Sequence, residues 1–72
     1  MQTQQSVKEA REGAGLSQVE VAHALGISEP TYRKYERHPD RMSLRTAVML
    51  AKVLRLKSFM ALKLTEDPGG TT

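Results

Sequence analysis

The chain contains no cysteine and no tryptophan. Without thiols it can form neither a disulfide nor a thiolate metal site, and nothing in it points to an oxidising compartment, so a cytoplasmic location is the expectation. Aromatic residues make up only 4% of the chain, two tyrosines and one phenylalanine, and alanine, leucine and valine dominate the apolar set. No apolar stretch approaches the roughly 18 residues that a membrane helix needs. The opening MQTQQSVKEA likewise lacks the apolar segment of a secretory leader, so neither spanning nor secretion is expected. Sustained apolar–polar alternation is missing as well, which argues against strands and for an all-α fold. There is no glycine-rich phosphate loop and no strand–turn–helix elbow for a nucleophile, so no enzyme and no cofactor are expected. His23 and His38 are the only histidines. They are not spaced as a pair on one helix face and have no cysteine beside them, which predicts solvated side chains and no metal site.

What the chain does have is a small positive excess, a formal net charge of +3. That is compatible with a nucleic-acid partner and weak as evidence alone. The informative stretch is SQVEVAHALGISEPTYRKYE, from Ser17 to Glu36. Val21, Ala22 and Leu25 recur at helical spacing behind Ser17, a residue type that caps helix starts by accepting from free backbone N–H groups. Gly26 follows the last apolar residue, where a helix ends most easily in the left-handed conformation. Ile27 can then plug the space between two helices. Ser28 offers a second cap, with Pro30 in the first turn, where its missing N–H costs little. Tyr32 and Tyr35 fall on one side of this next helix, and Glu29, Arg33, Lys34 and Arg37 point elsewhere. Two helices joined so tightly must cross steeply.

The rest of the 72-residue chain supports the same plan of a single small domain. Ser6 and Glu9 make a capping box for a first helix carrying Val7 and Ala10, which Gly13 and Gly15 end, and Leu16 should drop into the core. After Glu36 the segment RHPDRM reads as a loop. Ser43 caps a fourth helix in which Leu44, Ala47, Val48, Leu50, Ala51 and Leu54 form a wide apolar face. Leu56 should fold inward, and Ser58 should begin a short fifth helix through Phe59, Met60 and Leu62. The expected architecture is a compact five-helix bundle with a helix-turn-helix over residues 6–64, flanked by flexible termini at 1–5 and 66–72.

GLSQVEVAHALGIS followed by TYRKYE resembles the phage-repressor type of helix-turn-helix, the Xre, Cro-like or lambda-repressor-like family of DNA-binding domains. The likeness runs roughly from Val7 to Leu62. It rests on a constellation: Gly15, Leu16, Ser17 and Gln18, then Ala22, Leu25 and Gly26, then Tyr35 and Glu36. The resemblance implies a small transcriptional regulator, of the repressor kind, that binds double-stranded DNA in the major groove as a homodimer on a palindromic site. It implies that Arg11 pairs with Glu36, and that Gln18 holds a phosphate at the start of the second helix. Ser28, Glu29, Pro30, Thr31, Arg33 and Lys34 would face DNA, with Arg37 and Arg41 reaching phosphates from the following loop. The sequence departs from the family pattern at three places. Pro30 stands where a hydrogen-bonding side chain is common. Tyr32 replaces a smaller β-branched residue and is expected to bring its hydroxyl to the surface. Glu29 places a negative charge at the tip. Two alternatives stay open on the same fold: a protein-interaction module, and an antitoxin-type regulator that also binds a toxin partner.

Overall fold

Four serines set where the helices begin. The structure, a computed structural model, describes residues 4–64. Its helices are α1 (Val7–Gly13), α2 (Gln18–Leu25), α3 (Glu29–Arg37) and α4 (Leu44–Val53). Ser6, Ser17, Ser28 and Ser43 stand immediately before them, each with extended backbone and each hydroxyl accepting from the N–H three residues on. Ser6 and Ser17 complete capping boxes, because Glu9 and Glu20 reach back to the cap N–H at 3.0 and 2.8 Å. Such a cap contributes about 1 kcal/mol, which matters in helices too short to hold themselves together.

Three of the helices also end alike. After α1 the chain turns through Gly15 (φ 75°), after α2 through Gly26 (φ 73°) and after α4 through Arg55 (φ 60°). In each case the next residue closes a bond back across the turn: Leu16 to the Arg11 carbonyl, Ile27 to Ala22 and Leu56 to Ala51, at 3.2, 3.0 and 2.8 Å. Those three residues are apolar and pack against the core, so each stop signal also aims a side chain inward. Two stops use glycine, which enters the left-handed region without strain. The third uses arginine, which does not.

The core lies where α1, α2, α3 and α4 converge and consists of Val7, Ala10, Val21, Ala22, Tyr32, Leu50, Leu54 and Leu62. The apolar face expected on α4 is present in Ala47, Leu50, Ala51 and Leu54. Leu44, expected on that face, is 64% exposed, because the stripe outruns the elements it packs against. Tyr32 also differs from expectation: its ring and hydroxyl are fully buried rather than surface-reaching. It is among the largest fully buried side chains of the core.

The fifth helix is a single 3-10 turn, Phe59–Ala61, capped by the Ser58 hydroxyl. It stops because Leu62 must go into the core, and Leu62 is extended and 1% exposed. Its backbone lies beside Gln5 as an isolated parallel bridge. Gln5 N–H donates to the Ala61 carbonyl at 3.0 Å, and Lys63 N–H donates to the Gln5 carbonyl at 2.8 Å. The bundle is therefore closed by residues on either side of it in sequence. Gln4 and Gln5, placed in a flexible stretch by the sequence, are tied here; the rest of that stretch and residues 66–72 lie outside the described residues. A second 3-10 turn, Pro39–Arg41, occupies the loop after α3. No helix among the described residues is long and apolar enough to cross a membrane.

Candidate nucleic-acid interface

One carboxylate links α1, α2 and α3. Glu36, in the last turn of α3, accepts from Arg11 Nε at 2.6 Å and from Gln18 Nε2 at 3.0 Å. Arg11 also donates to the Leu16 carbonyl at 2.9 Å. The Arg11 and Glu36 side chains are only 11% and 6% exposed. Burial pushes the Glu36 carboxyl up, but hydrogen bonds from Arg11 and Gln18 and the nearby Tyr32 hydroxyl outweigh it and hold the group below its ordinary range. The bond to Glu36 correspondingly raises Arg11. The Tyr32 hydroxyl has no well-formed hydrogen bond among the described residues. Burial, with the Glu36 charge next to it, pushes its ionisation far up, so it stays neutral.

Around this node stand the residues that the sequence singles out. Gln18 is the first residue of α2, half-buried, with one amide N–H given to Glu36 and the other remaining. Ser28 and Thr31 are occupied with each other: the Ser28 hydroxyl accepts from Thr31 N–H at 3.3 Å and donates to the Thr31 hydroxyl at 2.9 Å. Pro30, Lys34, Arg37 and Arg41 are exposed, the last in the 3-10 turn beyond α3. Glu29 and Arg33 form an i,i+4 ion pair at 2.6 Å along α3. This pair answers the concern raised by Glu29 at the tip, since its charge is already matched by a neighbour.

The structure gathers Gln18, Arg33 and Arg37 with Glu36 around an open cleft of about 360 Å³ between α1 and α3. It adds a residue that the sequence reading did not single out: Lys8, from α1. The available signal was spacing, since Lys8 lies one turn before Arg11 on the same helix. Lys34 and Arg41 are not part of this cleft. His23 is exposed and His38 is half-buried at the end of α3. No group of three metal-ligating side chains comes together among the described residues.

With this geometry in view, the comparison with known families is decisive: the helix-turn-helix family model HTH_3 matches residues 7–59. The chain belongs to the Xre and lambda-repressor type of helix-turn-helix family. The match spans α1 to the last 3-10 turn, so it takes in the capped helices, the Gly26 turn and the Glu36 node together. It makes the protein a member of a family of DNA-binding regulators. Neither a curated protein nor a solved structure matches the chain.

Proposed function

We propose that the protein binds duplex DNA sequence-specifically, inserts α3 into the major groove and represses transcription as a homodimer on a two-fold symmetric site. The observation that carries this reading is the α2–Gly26–α3 unit, locked by Glu36, with the N-terminal half of α3 solvent-facing and basic side chains ranged along it. A helix end is the part of a major-groove reader that comes nearest to base edges, while flanking groups take phosphates. Ser28 and Thr31, bound to one another, define the tip. Glu29, Pro30 and Lys34 supply its chemistry, and Gln18, Arg33, Arg37 and Arg41 supply the grip. Pro30 has no hydrogen to offer and fits an apolar contact such as a thymine methyl.

The dimer follows from reach. One short helix contacts only a few base pairs, and a second copy about one helical turn away, roughly 34 Å, multiplies affinity and specificity. The deciding experiment is selection of bound fragments from random duplexes followed by sequencing. An enriched palindrome is the expected result. Gln18→Ala and Arg41→Ala should then weaken binding to all duplexes alike, whereas Lys34→Ala should relax preference at one position of each half-site, at a cost of about 1 to 3 kcal/mol. A second reading, a protein-interaction module, draws support from the exposed Val19, Leu44, Met49 and Met60. It takes over if the selection enriches nothing and binding shows no dependence on salt.

A further inference from the structure

Three helices each contribute one wall of the cleft beside Glu36. Lys8 comes from α1, Gln18 from the first position of α2, and Arg33, Glu36 and Arg37 from α3. Among the described residues Glu36 is the one carboxylate that lines the cleft, and the nearby Glu29 is paired to Arg33, while Glu12 follows Lys8 by one turn of α1. Glu36 accepts from Arg11 and Gln18, and Glu29 accepts from Arg33. Lys8 and Arg37 form no ion pair among the described residues. The fold thus crowds like charges around a hollow that is open on one side, which leaves an unmatched positive field where an anion attached to a larger body can enter.

We propose that this cleft seats a phosphodiester of the DNA backbone, held by Lys8 and Arg33, and that Arg33 consequently grips the backbone rather than reading a base. This rests on the DNA-binding reading above. Lys8 supplies a flexible point charge from a helix otherwise remote from DNA recognition. Gln18 keeps one amide N–H for the phosphate after giving the other to Glu36, and the start of α2 adds its partial positive charge. Arg33 shares one face of α3 with Glu29 and Arg37, at steps of four residues, and that face borders α1. Its bond to Glu29 uses one terminal nitrogen and leaves donors of the guanidinium fork to reach a phosphate. Lys34, one position further and about 100° around the helix, lies outside the cleft and keeps the base-facing role.

The test is competition binding of wild type, Lys8→Ala, Lys8→Arg, Lys8→Glu, Arg33→Ala and Lys34→Ala against a selected site and its point-substituted versions, across salt from about 50 to 200 mM. Lys8→Ala and Arg33→Ala should each weaken binding to every sequence by a common factor. Each should also lower the salt slope by about 0.9, so that affinity changes roughly 3.5-fold less over that range. Lys8→Arg should retain the wild-type slope, and Lys8→Glu should weaken binding more than alanine does. In a duplex carrying one neutral methylphosphonate, the linkage that costs wild type affinity should leave Lys8→Ala indifferent. Lys34→Ala should reorder the sequences instead. A Lys8→Ala variant with wild-type affinity and slope overturns the seat, and an Arg33→Ala variant that loses preference at one base pair overturns the role given to Arg33. Wild type with no salt-dependent duplex binding overturns the DNA reading itself, a distinct result.

Discussion

Removing Glu36 should damage this domain more than removing Glu36 and its partner together. The Glu36 and Arg11 side chains are 6% and 11% exposed and 2.6 Å apart. In Glu36→Ala, Arg11 keeps its bond to the Leu16 carbonyl but loses its counter-charge in a largely dry setting. Stranding one member of a buried pair costs about 3 to 5 kcal/mol. A chain of this length has a total stability of about 4 to 11 kcal/mol at the usual 0.05 to 0.15 per residue, so the single variant should lose from about a quarter to all of it. Replacing both, as in Arg11→Met with Glu36→Leu, removes both desolvation penalties and substitutes apolar volume, and such exchanges are often neutral or stabilising. Urea unfolding followed by circular dichroism gives the four corners of the cycle, with equal slopes licensing the comparison. Coupling of at least 1 kcal/mol is expected. Additivity within about 0.3 to 0.5 kcal/mol, the level seen for independent sites, would show that the contact contributes no more than its two halves.

Leu50 is fully buried, so Leu50→Ala should cost about 2 to 5 kcal/mol, and a thermal melt within error of wild type would remove Leu50 from the core. The folded state holds the Glu36 carboxyl below its ordinary value of 4.5, so the stability it contributes is complete above that pH and is lost as pH falls through the lower folded value. Glu9, lowered mainly by its bond to the Ser6 backbone, acts in the same direction. Urea midpoints should therefore fall on acidification below pH 4.5, and less steeply in Glu36→Gln; parallel curves for the two proteins would refute the assignment to Glu36. Arg55 holds φ at 60° where the other two stops use glycine, so Arg55→Gly should raise stability by about 0.5 to 1 kcal/mol, the left-handed strain less the added entropy of an unfolded glycine. A lowered urea midpoint would show that the arginine side chain does more than tolerate the turn.

The helix starts and stops were legible because they are local. A serine before an apolar-periodic run and a glycine after it act through bonds three to five residues long, and each of the four caps expected before α1 to α4 is present. What was not legible depends on distant parts of the chain. The segment after Ser58 has helical composition, yet it stops after one turn because Leu62 is needed in the core and Gln5 is there to pair with it. Leu44 satisfies the periodicity of α4 and still faces solvent, since periodicity does not say where the neighbouring elements end. Tyr32 offered the same ambiguity in reverse: a tyrosine suits a surface or a centre, and only the packed volume decides. At the candidate interface, the residues on α3 could be read from spacing. For Lys8 spacing showed only that it shares a face of α1 with Arg11, because its contribution depends on how α1 docks against α3.

That docking is why folding and recognition are not separable in this protein. A carboxylate has two oxygens, and in Glu36 one faces Arg11 and the other faces Gln18, so a single side chain at the end of α3 ties down both α1 and the start of α2. The two partners are also the neighbours of the proposed phosphate seat: Gln18 lines it, and Arg11 lies one turn along α1 from Lys8. A group that only stabilised the fold could be exchanged for apolar packing, as the Arg11→Met, Glu36→Leu pair does, without loss elsewhere. Here the exchange leaves Gln18 without the acceptor that orients its amide, and frees α1 to settle against α3 through packing alone. Apolar contacts are non-directional, whereas a carboxylate bridging two donors fixes angles as well as distances. The geometry of the proposed grip on DNA should therefore depend on the polar node even where apolar packing takes over its contribution to stability.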